Sequence, residues 1–311
     1  MKRVVSLIVS ILLGLTLFSG CGAQNKQEKL KVVCTIFPQY DIVRQIAGDS
    51  VELVQLLPYG MESHDFNLEN LSAKDLETVS EADIFISVGG ESDSEWVNKL
   101  RQKVGREETL WLELCDMTET LCIEHDHEGH SHEHSHQDID EHIWTSPQRM
   151  MDVSSVIYEK LKIADPEISD VCDKGFAEFM KDLKDLDAEF KDLGKLAHKT
   201  AFFADRFSFR YMFHDYNFSY SAAFEGCSTT VDPSAKKISE LTMTAIENRS
   251  AVILYMENSN TKYATKIAES VGVKVGMLHS CHNISKKQAK QGVSYVSLMK
   301  NNLKVLKEAV V

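Results

Sequence analysis

The residues that could do chemistry crowd into one stretch, positions 123–144, which reads IEHDHEGHSHEHSHQDIDEHIW. It holds His125, His127, His130, His132, His134, His136 and His142, seven of the twelve histidines in the chain. Imidazole is the commonest protein ligand for zinc and suits other divalent metals. A run this dense points to metal capture. It lacks the paired spacing of a zinc finger, so it specifies no geometry. The plainer readings are a polar loop or an expression tag. A tag sits at a terminus, whereas this run is internal and interleaved with Asp126, Glu128, Glu133 and Asp138.

Fixed ligands need elements that hold them. Before the run, β-branched and apolar segments at 31–37, 51–57, 83–88 and 109–114 alternate with amphipathic segments at 39–47, 72–80 and 94–104. After it, apolar segments at 200–204, 218–224, 251–256 and 273–279 alternate with helical patterns in the same way. This alternation predicts two α/β lobes, each a four-stranded, mostly parallel sheet flanked by helices. Between them, Ile168, Cys172, Phe176, Phe179, Leu183, Leu186, Phe190 and Leu193 recur at steps of three and four. That stripe predicts one helix of about 30 residues, roughly 45 Å long, packed as a strut along both lobes. Ligands of such sheets bind at the carboxyl ends of the strands. His64 follows the second strand and His142 the fourth, which puts both on one edge.

The N-terminus carries Lys2 and Arg3, an apolar run at 4–18, and Ser19-Gly20-Cys21, the pattern of a secretory signal peptide. A Cys after small residues resembles a bacterial lipobox, with Phe18 where Leu is usual; lipidation of Cys21 is the expectation. No later apolar run is long enough to span a bilayer. The expected organisation is a signal peptide at 1–20, a lipidated tether at 21–30, an N-terminal α/β lobe at 31–165 with its His-rich loop at 123–141, a linker helix at 166–198 and a C-terminal α/β lobe at 199–311. An exported chain permits disulfides. Cys115 with Cys122 and Cys227 with Cys281 are the candidate pairs, and Cys34 and Cys172 fit buried thiols. A net charge of −13 argues against a nucleic-acid partner.

Two short motifs carry a resemblance. Gly60-Met61-Glu62-Ser63-His64-Asp65 and Asp140-Glu141-His142-Ile143-Trp144-Thr145-Ser146-Pro147 are similar to the ligand loops of the metal-binding lipoproteins of bacterial ABC importers, the zinc and manganese solute-binding proteins with a single-helix linker. The likeness covers about 31–311. It implies an extracytoplasmic, lipid-anchored, monomeric capture protein that delivers metal to a membrane ABC permease and is not an enzyme. The His-rich insertion favours zinc over manganese. The resemblance makes His64 and His142 ligands. It places Arg206 where the family has its third ligand, and a guanidinium has no lone pair to give. It places His279 at the last ligand position, after the final strand. The fourth ligand is then Asp205, next to the lost position, with Glu225, His282, a water or a residue of the mobile loop as alternatives. Arg206 would orient Asp205, or else mark a pocket for an anionic metal chelate or for no metal at all. The six histidines from His125 to His136 become an accessory collector. The long helix implies release by local loop movement.

Two other classes compete. A zinc hydrolase would use three histidines and an open position, but there is no HExxH helix, and only Glu62 and Glu141 stand near enough in sequence to serve as a base. A metal-buffering surface adhesin would need no transport partner.

Overall fold

The computed structural model describes residues 28–122, 139–224 and 233–311. The signal peptide, Cys21, the six histidines from His125 to His136, Glu225 and Cys227 lie outside the described residues.

The first lobe is built on strands β1 (Lys31–Cys34), β2 (Glu52–Gln55), β3 (Ile84–Ser87) and β4 (Leu110–Glu113), in the order β2-β1-β3-β4. Every pairing is parallel. Central β3 is buried at all four positions, as a sheet covered on both faces requires. Helices α1 (Phe37–Ala47), α2 (Ala73–Ser80), α3 (Ser94–Val104) and α4 (Pro147–Ala164) surround it. Their starts are legible in sequence. Ser72 and Asp75 form a reciprocal capping box on α2, and Pro147 takes the first turn of α4.

The second lobe repeats the plan with β5 (Ala201–Phe203), β6 (Tyr220–Ala222), β7 (Val252–Met256) and β8 (Lys274–Leu278), in the order β6-β5-β7-β8, again parallel throughout. Between the lobes runs α5 (Ser169–Leu196), preceded by a single 3-10 turn at Pro166–Ile168. The second lobe adds α6 (Arg210–Asp215), α7 (Ala235–Glu247), α8 (Lys262–Val271), α9 (Lys286–Lys290) and α10 (Tyr295–Val310).

The apolar stripe of α5 faces inward as expected. Cys172, Phe179, Leu183, Leu186, Phe190 and Leu193 are buried, and Phe176 stacks on Tyr158 of α4 with ring centroids 4.1 Å apart. Two glycines set how closely the helix approaches its neighbours. A Cβ at Gly175 would stand 2.3 Å from the carbonyl oxygen of Ile46 in α1. A Cβ at Gly194 would stand 2.3 Å from the carbonyl oxygen of Tyr216, in the second lobe. The strut is thus pressed against backbone of each lobe, one contact near either end.

One apolar core runs from β1–β3 through α5 into β5 and α10. Polar contacts reinforce the junction. The Arg149 guanidinium meets both oxygens of Asp215, at 3.0 and 3.1 Å, and the Tyr295 hydroxyl donates to the Trp144 carbonyl oxygen at 2.7 Å. Cys34, Cys115, Cys122, Cys172 and Cys281 are free thiols, with Cys34 and Cys172 buried. Cys115 and Cys122, considered as a pair, are thus separate thiols, with Cys122 at an exposed bridge to Ile139; the pairing of Cys281, which is sealed in the core, with Cys227 involves a residue outside the described ones.

Candidate metal centre

Three histidines converge where the two lobes meet. His64 lies on the 3-10 turn Ser63–Asp65 after β2. His142 lies just ahead of the 3-10 turn Ile143–Thr145 that leads into α4. His282 lies on the segment after β8. One ring nitrogen from each falls within 4.8 Å of the others. The His142 and His282 rings are 4.8 Å apart at the centroid, and His64 is 6.0 and 5.9 Å from them.

Hydrogen bonding decides which ring nitrogens carry lone pairs. Asp140 accepts from both the backbone N–H and the Nδ1 of His142, at 2.9 and 2.8 Å. That puts the His142 proton on Nδ1 and the lone pair on Nε2. Burial pushes the Asp140 carboxyl up, but the His142 ring, the hydrogen bonds from it and the nearby Arg210 outweigh that and hold it below its ordinary value. Around His282 a carboxylate acts at one remove. Ser280 donates its backbone N–H to Glu257 Oε2 at 2.7 Å and its hydroxyl to Glu257 Oε1. A carboxylate only accepts, so the hydroxyl proton is committed and Ser280 Oγ accepts from His282 Nδ1. The lone pair of His282 is then on Nε2, which is buried without a hydrogen-bond partner. Burial, then the neighbouring His142 and His64 rings, then Arg206, push the His282 pKa far below its ordinary value. Its imidazole is neutral, the form that ligates a metal.

The segment carrying His282 is tied to the first lobe. The His282 carbonyl oxygen accepts from Phe37 N–H at 3.2 Å, and Gly60 N–H donates to Ile284 O at 3.0 Å. Asn283 donates its side-chain amide to the carbonyl oxygens of Pro58 and Met61, at 2.7 and 3.0 Å, on the loop that leads to His64. Trp144 Nε1 donates to Ser280 O at 2.8 Å. All three rings are therefore held against one body.

His279 is placed elsewhere. Its backbone is clamped by Asn302, its Nδ1 accepts the Cys281 N–H at 3.0 Å, and the same atom lies 3.3 Å from Glu257. Its lone pair is spent on the backbone, and it stands outside the convergent group. Between the two histidines Cys281 has φ +63°, a left-handed conformation that breaks the alternation of a strand. Asp205 is also outside the group. Its Oδ2 accepts the Met256 N–H at 3.4 Å and its Oδ1 lies 4.0 Å from Arg206 Nε. Sequence reasoning left His282 open, because nothing in LHSCHN shows where the chain reverses.

A cavity of about 480 Å³ opens beside His64, lined by Glu69, Glu91, Glu95, Trp96 and Lys99 among others.

Residues 32–309 match the family described as zinc-uptake complex component A, periplasmic. The chain belongs to this family. Among its relatives, the zinc-binding lipoprotein AdcA of Streptococcus pneumoniae strain R6 is 28% identical across 99% of the chain, which spans 61% of that protein's length. The high-affinity zinc uptake system protein ZnuA of Bacillus subtilis is 28% identical, with 94% of each chain covered. Among solved structures, the Zn(II)-bound ZnuA-like domain of S. pneumoniae AdcA superimposes with a TM-score of 0.74 at 26% identity, covering 91% of this chain and 99% of the domain. The metal-dependent lipoprotein YcdH of B. subtilis gives 0.75 at 25% identity, with 91% and 99% covered. The two-lobe parallel architecture joined by one long helix is the fold they share.

Proposed function

We propose that this chain captures a divalent metal, zinc above manganese, outside the cytoplasm and delivers it to a membrane permease of an ABC importer. The observation that carries this reading is the convergence of His64, His142 and His282. Two of the three have their Nδ1 protons held by neighbouring acceptors, and His282 has a buried, unpartnered Nε2. Imidazole nitrogens suit zinc, whereas manganese favours carboxylate oxygens. The family supports an uptake role and a permease partner. The names of AdcA, zinc-binding, and of ZnuA, zinc uptake, support the choice of metal, and the lipoprotein among them supports a lipid anchor on Cys21. Among the described residues no helix is long and apolar enough to cross a membrane. The chain acts as a monomeric binding protein and not as an enzyme. The histidines from His125 to His136 serve as a weak collector that raises local metal concentration near the triad. The continuous core and the strut disfavour wide hinge opening, so release proceeds by movement of the loops bearing the ligands.

Isothermal titration of the purified chain with zinc tests this, with and without residues 124–137. One tight site that persists after the deletion and disappears in the His64→Ala, His142→Ala double variant is the expected result. Undiminished tight binding in the double variant would remove the triad as the site.

A further inference from the structure

The triad supplies three ligands, and zinc favours four. We propose that the carboxylate of Glu141 is the fourth; this rests on the triad reading above.

Glu141 is 3% exposed. Its Oε2 accepts the Ser92 N–H at 2.9 Å, which anchors the side chain. Its Oε1 is buried with no hydrogen-bond partner and lies 3.7 Å from His64 Nε2. A buried carboxylate oxygen left unpaired is unfavourable unless a cation or donor compensates it. Bond lengths of ~2.0–2.2 Å in a tetrahedral zinc site put neighbouring ligand atoms roughly 3.3–3.6 Å apart. The His64–Glu141 separation is close to that edge length; like His279 and Asp205, Glu141 stands outside the group whose ligand atoms all lie within 4.8 Å, so its carboxylate closes on the other two rings only as the metal draws the four ligands together.

The other carboxylates near the triad are engaged. Asp140 is committed to His142 and lies 3.4 Å from Arg210 Nε. Both Glu257 oxygens accept from Ser280. Glu62 accepts from the Asn258 amide at 3.2 Å, and Asp205 faces Met256 N–H and Arg206. The backbone has also been cleared for Glu141. A Cβ at Gly90 would stand 2.2 Å from Glu141 Oε2 and 2.4 Å from its Cβ, so a side chain at position 90 would displace the carboxylate.

The charge balance agrees. Neutral imidazoles leave a divalent ion uncompensated. One carboxylate in the ligand set offsets part of that excess. His64, Glu141 and His142 then come from the first lobe and His282 from the segment tied to it, so the position occupied by Arg206 needs no ligand of its own.

The experiment compares the wild-type chain with Glu141→Gln and His282→Ala. Zinc affinity is read by competition titration and ligand identity by the visible spectrum of the cobalt(II)-loaded protein. Melting of the metal-free chains verifies folding. Glutamine keeps the acceptor for Ser92 N–H, so Glu141→Gln is expected to fold, to lose at least tenfold in zinc affinity and to shift the cobalt bands. Carboxylate-stretch infrared difference spectra on zinc addition should show a band in wild type that is missing in the variant. Unchanged affinity and cobalt bands would overturn the proposal. So would a weakened site with wild-type cobalt bands and the infrared band retained, which would make Glu141 a positioning residue for His64. Wild-type affinity in His282→Ala would instead remove the triad reading itself. Should Glu141→Gln fail to fold, Gly90→Ala, which displaces the same carboxylate, is read by the same cobalt and infrared bands.

Discussion

His282 gives its Nδ1 proton to the Ser280 hydroxyl, whose own proton is committed to Glu257. The carboxylate thereby fixes the tautomer of a ring it does not touch through this bond. Ser280→Ala should leave the His282 tautomer unselected and lower zinc affinity about 10- to 100-fold, the range for loss of a group that orients a ligand. Titration calorimetry checks it, and Ser280→Thr should recover most of the loss.

The two histidines flanking Cys281 should separate cleanly. His282→Ala is expected to abolish tight zinc binding; its cost in the stability of the metal-free chain is that of the Nδ1 bond to Ser280 and of a buried ring, since Nε2 has no hydrogen bond to lose. His279→Ala removes the acceptor of the Cys281 N–H in a buried, left-handed turn. It should lower stability by about 1–3 kcal/mol and shift the melting temperature of the metal-free chain. The reverse pattern would place His279 at the metal.

Gly175→Ala tests the strut. Alanine is the better helix former by about 1 kcal/mol, so an uncrowded site would gain stability. Here the new methyl meets the Ile46 carbonyl oxygen, and a net loss of about 1–3 kcal/mol is expected from overpacking. Denaturant unfolding of the metal-free protein decides the sign.

Asp93 should leave a mark on the pH profile. Burial pushes its carboxyl up to about 6, against the opposing hydrogen bonds from Val88 and Gly89 N–H. The folded state then holds a proton that the unfolded chain, near 3.8, has released. Its contribution is fully present below about pH 4 and is lost as pH rises through about 6. Relative to Asp93→Asn, wild type should lose on the order of 3 kcal/mol between pH 4 and 7. Parallel melts of both proteins across that range measure it; a constant difference between them would show that Asp93 titrates normally.

The cavity beside His64 carries Glu69, Glu91 and Glu95, with Glu95 paired to Lys99. An acidic mouth concentrates cations. Glu69→Gln with Glu91→Gln should slow zinc association several-fold at low salt, with the gap closing at high salt, and leave the dissociation rate unchanged. Stopped-flow chelator competition resolves the two rates.

Much of this was legible in the residues because it rests on local periodicity. Strand–helix alternation marks two parallel sheets, and the i, i+3, i+4 stripe of α5 needs no tertiary information to show its buried face. That His64 and His142 meet was legible in their places after the second and fourth strands, and their part as ligands came from the resemblance of their two motifs. Gly175 carried no signal, since a helix glycine reveals its purpose only when the α1 backbone is beside it.

The sequence by itself determined two α/β lobes, one strut, and an abundance of imidazole beside the edge where His64 and His142 stand. Only the tertiary structure decided between His279 and His282. Their choice depends on one positive φ at Cys281 and on the hydrogen bonds that tie that turn to Asn302, Phe37 and Gly60. Those partners lie 20 or more positions away in sequence, and no local pattern encodes them. The same holds for Glu141: its chemistry is local, but its unpartnered oxygen is a product of how Gly90, Ser92 and His64 are brought around it.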